Sequence, residues 1–126
     1  MNIRKKGAAG ELEFCHRFNP FFPNTELKRN LNQTREGGAD VEGCSPFVIE
    51  IKRCEKLEHK KWWRQVKAAV THPEDIPTVA FRQNKKPWRF LIPSSLTGID
   101  DDGFMEVDED IWLKLVMHVF QDIPPF

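Results

Sequence analysis

Four side chains in this sequence, Glu11, Asp40, Glu50 and Lys52, have types and spacings that could act together. Glu50 and Lys52 lie in Pro46-Phe-Val-Ile-Glu-Ile-Lys-Arg53, the clearest strand in the chain, entered through a Gly-Cys-Ser-Pro turn signal. Period two puts Val48, Glu50 and Lys52 on one face and Phe47, Ile49 and Ile51 on the other. At a rise of ~3.3 Å per residue the two charged groups stand roughly 6.7 Å apart along the strand. That separation lets a carboxylate hold a metal ion while an ammonium reaches a ligand on the same ion. Glu-x-Lys alone is commonplace on half-exposed strands, but here it has company. Asp40 lies ten residues before Glu50, behind Gly37-Gly38, a spacing that allows a turn to bring its carboxylate alongside. The strand is otherwise apolar, so its two charges are flanked by core. Glu11 could add a third carboxylate.

The elements that must position these groups read as follows. Residues 3–18 form a first helix, loosened by Gly7 and Gly10 and ended by Asn19-Pro20. Its projection at 100° per residue puts Ala8, Leu12 and Cys15 on one stripe, Glu11 at the border of that stripe, and Glu13 about 160° from Glu11, in solvent. Residues 25–33 read as a polar strand. A helix over 55–71 carries Leu57, Trp62, Val66, Ala69 and Val70 near helical spacing and stops at His72-Pro73. Two β-rich runs, 77–82 and 88–92, form a hairpin with the cationic turn Gln83-Asn-Lys-Lys-Pro87. Residues 94–103 read as a loop, 104–107 as a short strand, and 108–120 as a last helix with Asp108 as its N-cap. Trp62, Trp63 and Trp88 read as core or subunit-contact residues, and two adjacent tryptophans on one helix are expected to leave one half-exposed. The order implies a single domain over residues 1–126, an α/β (α+β) fold in which helices flank a small mixed central β-sheet.

Charge is divided along the chain. Residues 1–93 hold 18 Lys/Arg and 11 Asp/Glu, a net of +7, whereas residues 94–126 hold one Lys and 8 Asp/Glu, a net of −7. A basic body suits a polyanionic partner, and solvated faces that happen to segregate suit the arithmetic equally. No run approaches the ~18 apolar residues of a membrane span. The segment after Arg4-Lys5-Lys6 lacks the apolar core of a signal peptide, so a cytoplasmic protein with no membrane partner is expected. Cys15, Cys44 and Cys54 are odd in number and contain no Cys-x-x-Cys, which argues against a disulfide framework. Cys44, Cys54, His59 and His72 lack the spacing of a zinc site.

Lys6-Gly7-Ala-Ala-Gly-Glu11, Asp40-x9-Glu50-Ile51-Lys52 and a following helix with Gln65 together resemble the PD-(D/E)xK nuclease superfamily, in particular its small Holliday-junction-resolvase-like enzymes, some of them phage-encoded. The resemblance covers roughly residues 5–93. It departs at Ala39, where the name-giving proline would stand, and at Ala69, where related exonucleases place a tyrosine four residues after the glutamine. It implies a restriction-endonuclease-like core and a metal-dependent DNA endonuclease acting on branched or structured DNA in recombination. It also implies a homodimer, since junction resolution needs two matched cuts, and the host cytoplasm for a phage-encoded enzyme. Asp40, Glu50 and the Ile51 carbonyl would hold Mg²⁺ or Mn²⁺, hard cations that take oxygen ligands and keep waters. Lys52 would position the attacking water or stabilise developing charge, and Glu11 would act through a water or a second metal. The leaving group would be a 3′ hydroxyl and the product a 5′ phosphate. Lys5, Lys6, Arg35, Arg53, Lys60, Lys61, Arg64, Gln65, Arg82, Lys85 and Lys86 would line the DNA, mostly through phosphates. The alternatives are a catalytically silent nucleic-acid-binding module of the same fold and an interaction protein whose acidic C-terminal third docks a basic partner.

Overall fold

A computed structural model describes residues 3–22, 26–31, 39–99 and 101–121, with side-chain surroundings for residues 8–120 of these. Helix α1 (Ile3–Phe18) runs into a short 3₁₀ turn (Asn19–Phe21). Strands β1 (Lys28–Arg29), β2 (Val41–Glu42) and β3 (Phe47–Arg53) follow, then helix α2 (His59–Ala69) and strands β4 (Ile76–Arg82) and β5 (Arg89–Pro93). A second 3₁₀ turn (Ser94–Thr97), strand β6 (Phe104–Asp108) and helix α3 (Glu109–Gln121) complete the elements of the described residues. The six strands form one mixed sheet in sequence order. Only β3 and β4 are parallel, joined through α2, and the other neighbours are antiparallel. This is the mixed α+β architecture expected from the order of elements.

The sheet separates two cores. One face is covered by α1 and α3, where Phe14, Phe18 and Trp112 pack with Phe47, Ile49, Ile51, Ala80, Phe90 and Ile92. Trp112 lies flat on Phe90, with ring centroids 4.3 Å apart. The other face is covered by α2, where Trp62, Trp63 and Val66 meet Val79, Phe81 and Leu91. Strand β3 alternates as its sequence predicts, with Phe47, Ile49 and Ile51 buried toward α1 and α3. Val48, Glu50 and Lys52 are partly buried, and Val48 packs with the α2 layer. Asp108 caps α3 by accepting the Ile111 N–H at 2.9 Å.

Several boundaries differ from the sequence reading, each for a physical reason. Of the 25–33 strand, residues 25, 32 and 33 lie outside the described residues, and within 26–31 the strand is Lys28–Arg29; its antiparallel partner Val41–Glu42 is a strand that Gly43 obscures in sequence. Gly43 has φ +95°, and a Cβ there would lie 2.1 Å from the Glu26 carbonyl oxygen. Helix α2 starts at His59, not 55, which leaves Leu57 ahead of it and exposed. In α1 the buried stripe is Glu11, Phe14, Cys15 and Phe18, while Leu12 is 57% exposed. Two phenylalanines bury more apolar surface than Ala8 and Leu12 and set the rotation of the helix. Both adjacent tryptophans are buried, contrary to expectation: Trp62 reaches Phe81 on β4 while Trp63 reaches Phe104 on β6. A helix lying across a broad sheet thus buries two neighbouring indoles by splaying them. The price is a buried Trp63 Nε1 without a hydrogen-bond partner among the described residues. Trp88 is core, against Phe14 and Phe18. Among the described residues none of the three cysteines is in a disulfide. Among the described residues no helix is long and apolar enough to cross a membrane.

Candidate active site

The site forms where β2 gives way beside β3. Val41 pairs with Ile49, and one residue earlier the Asp40 N–H donates to the Ile49 carbonyl at 2.9 Å. The Asp40 carbonyl accepts the Asn30 N–H at 2.9 Å, and Asn30 Nδ2 donates to the Ala39 carbonyl at 3.0 Å. The Asp40 side chain then takes over the ladder. Its Oδ2 accepts the Ile51 N–H at 2.7 Å, so the carboxylate ends the pairing and is fixed by the strand it faces. Asp40 is 8% exposed.

Glu50, which precedes Ile51 on β3, meets Asp40 carboxyl to carboxyl. Its pKa is pushed from 4.5 up to about 8, first by burial, then by the charge of Asp40 and the hydrogen bond between the two groups, with Lys52 pulling the other way. Two carboxylates this close do not both ionise readily, and burial together with the Asp40 charge favours the protonated form of Glu50. A divalent cation is what replaces such a proton most favourably, and the all-oxygen donors suit a hard ion. Among the described residues no three His, Cys, Asp or Glu side chains converge as a complete cage. The residues present therefore fit an ion held by two carboxylates and the β3 backbone at Ile51, with waters filling its shell. Lys52 projects from the same face of β3 and its charge is felt at Glu50.

Glu11 reaches the site from α1. The helix can approach β3 because residue 10 is glycine: a Cβ there would sit 2.9 Å from Arg53 Cβ. The Glu11 side chain is 12% exposed and accepts a hydrogen bond from Arg29 Nε at 2.8 Å. Burial raises its pKa, the Arg29 bond opposes that rise, and the charge of Asp40 adds to it. Glu11 thus shares the field of Asp40 and Glu50, but its ion-pair partner among the described residues is Arg29. That arginine is brought in by the antiparallel pairing of β1 with β2, where it stands opposite Val41. Sequence reasoning missed this partner. Its only signal was a polar strand placed just before the Asp40 segment, which a hairpin would bring back alongside.

Glu13 is not in solvent, as the helical projection implies. It is ion-paired with both Arg53 and Arg82, the first at 3.4 Å. Arg53 also donates to the Arg82 carbonyl at 3.3 Å and to Asn84 Oδ1 at 2.8 Å, and Arg82 Nε donates to the Lys86 carbonyl at 2.7 Å. These two arginines tie α1 to the ends of β3 and β4, and that work engages much of their hydrogen-bonding capacity. The remaining cations expected to meet DNA are more open. Lys60, Lys61, Arg64 and Gln65 are exposed along α2, with Glu58 3.8 Å from Lys61, and Lys85 and Lys86 are exposed on the hairpin turn. Arg82, Lys85, Lys86, Arg17 and His16 line a groove of ≈ 530 Å³ between α1 and that turn. Arg35 lies outside the described residues, as do the side-chain surroundings of Lys5 and Lys6.

A second polar cluster also escaped the sequence reading. His59, at the start of α2, stacks on Trp62 and meets Glu106 at 2.8 Å, and Arg89 Nε donates to the other Glu106 oxygen at 2.7 Å. Burial pushes the Glu106 carboxyl up, but its bonds to His59 and Arg89 outweigh this and hold it below the usual range. No family model, curated protein or solved structure matches the chain.

Proposed function

We propose that this protein is a divalent-metal-dependent deoxyribonuclease of the PD-(D/E)xK kind, hydrolysing phosphodiester bonds in branched or structured DNA. The observation that carries the reading is the meeting of Asp40 and Glu50, ten residues apart in sequence, with Lys52 beside them on the same strand face. Asp40 and Glu50 would hold Mg²⁺ or Mn²⁺ with the Ile51 carbonyl. When bound, such an ion lowers the pKa of a water and neutralises charge on the scissile phosphate. The Ile51 N–H keeps the Asp40 carboxylate in one orientation, so the ligand needs little rearrangement. Lys52 supplies a positive charge where the phosphate gains negative charge, or orients the attacking water. The exposed lysines of α2 and of the β4–β5 turn would neutralise neighbouring phosphates without reading sequence.

The test is incubation of a synthetic four-way junction and a supercoiled plasmid with the protein, in Mg²⁺ and in EDTA. The reading expects Mg²⁺-dependent products with 5′ phosphates, lost in Lys52→Ala while junction binding persists. Binding without cleavage under every metal tried would replace this reading with that of a catalytically silent nucleic-acid-binding module.

A further inference from the structure

We infer that Arg29 is a built-in substitute for a second metal ion, so that the site takes one divalent cation and not two. The inference rests on the metal reading of Asp40 and Glu50 above. Three acidic side chains share one electrostatic neighbourhood here: Glu50 feels both Asp40 and Glu11, and Glu11 feels Asp40. A cluster of that charge invites two divalent ions, one per pair of carboxylates, as in two-metal hydrolytic sites. The described residues divide it differently. Asp40 and Glu50 contact each other, whereas Glu11 is taken by the Arg29 guanidinium at 2.8 Å. Correspondingly, among the described residues no three His, Cys, Asp or Glu side chains are grouped so as to hold an ion together.

Arg29 is also held where it is. It belongs to β1, paired with β2 opposite Val41, and the adjoining Asn30 is bonded to the backbone of Asp40 and Ala39. The same strand pairing that presents Asp40 therefore presents the arginine. An arginine cannot be deprotonated in this pH range, so its charge is permanent, unlike an ion that exchanges with solvent. A divalent ion at Glu11 would have to displace the Arg29 bond and then tolerate the guanidinium beside it. Arg29 is a positioning residue for Glu11 and supplies there the positive charge that a second metal would otherwise bring.

The experiment is a Mn²⁺ binding isotherm on the DNA-free protein, following the loss of the free-ion electron paramagnetic resonance signal, with circular dichroism to check folding. Wild type and Arg29→Lys, which keeps a cation, are expected to bind one ion. Arg29→Ala is expected to bind two, and Arg29→Ala combined with Glu11→Gln to return to one. Arg29→Met, which keeps part of the aliphatic stem, replaces the alanine variant if that fails to fold. Two ions in wild type overturn the inference, and so does a single ion in both wild type and the charge-free Arg29 variant, while either result leaves the metal reading standing. No ion on any of these proteins overturns the metal reading, and the inference with it.

Discussion

Replacing Glu50 with glutamine should stabilise the metal-free protein in alkali while abolishing its response to metal. The sign follows from proton linkage. The Glu50 carboxyl sits at about 8 in the folded chain against an ordinary 4.5. Between those values the folded state holds a proton that the unfolded state has released, so stability falls as pH rises. The contribution is full below pH 4.5 and gone above pH 8. At roughly 1.4 kcal/mol per pH unit the ceiling is about 5 kcal/mol, and because Asp40 shares the proton a realised difference of roughly 1–3 kcal/mol is expected. Glutamine cannot ionise, and its amide can donate to Asp40 in place of the shared proton. Urea unfolding in EDTA at pH 5, 7 and 9 checks this. Glu50→Gln and wild type should be nearly equal at pH 5, with the variant ahead by that margin at pH 9, equivalent to roughly 3–10 °C in melting temperature. Addition of Mg²⁺ should reverse the order, since only wild type gains the binding free energy of the ion. A variant less stable than wild type at pH 9 in EDTA would refute the account of the carboxyl pair.

Three further outcomes are expected. Glu11→Ala should reduce Mg²⁺-dependent cleavage far more than Glu13→Ala, whose loss of the Arg53 and Arg82 pairs should cost about 1 kcal/mol in denaturant unfolding because those pairs are partly exposed. Removing Lys60 with Lys61, or Lys85 with Lys86, should flatten the slope of log K against log salt by about 1.8 if each lysine contacts a phosphate, measured by salt titration of DNA binding in Ca²⁺. Gly43→Ala forces a Cβ to 2.1 Å from the Glu26 carbonyl oxygen at φ +95°, so urea unfolding should register a loss of roughly 2–4 kcal/mol.

What could be read from the sequence was what depends on near neighbours. The alternation of β3 lies in seven consecutive residues and came through intact, taking Glu50 and Lys52 with it. The Asp40–Glu50 meeting was legible because a ten-residue interval with a Gly-Cys-Ser-Pro turn signal inside it allows the chain to double back. The rotation of α1 was not, since Leu12 and Phe14 compete for the sheet and only the aromatic core formed with Trp88, Phe90 and Trp112 decides between them. Once that rotation was misplaced, Glu13 fell into solvent on paper, although its partners lie 40 and 69 residues away. Arg29 escaped for the same reason. Its role depends on which helix the paired strands β1 and β2 meet, and no local pattern records that.

The central claim, that Asp40 and Glu50 form one cation site from which the ion displaces a proton, is tested most directly by calorimetric titration of Mg²⁺ into the protein at pH 7 in two buffers of different ionisation enthalpy. With Glu50 at about 8, most molecules carry the shared proton at this pH. Binding should therefore release close to one proton per ion, falling toward zero by pH 9, and Asp40→Asn should lose the binding heat altogether. Absence of binding, or binding that releases no proton and survives Asp40→Asn unchanged, would contradict it.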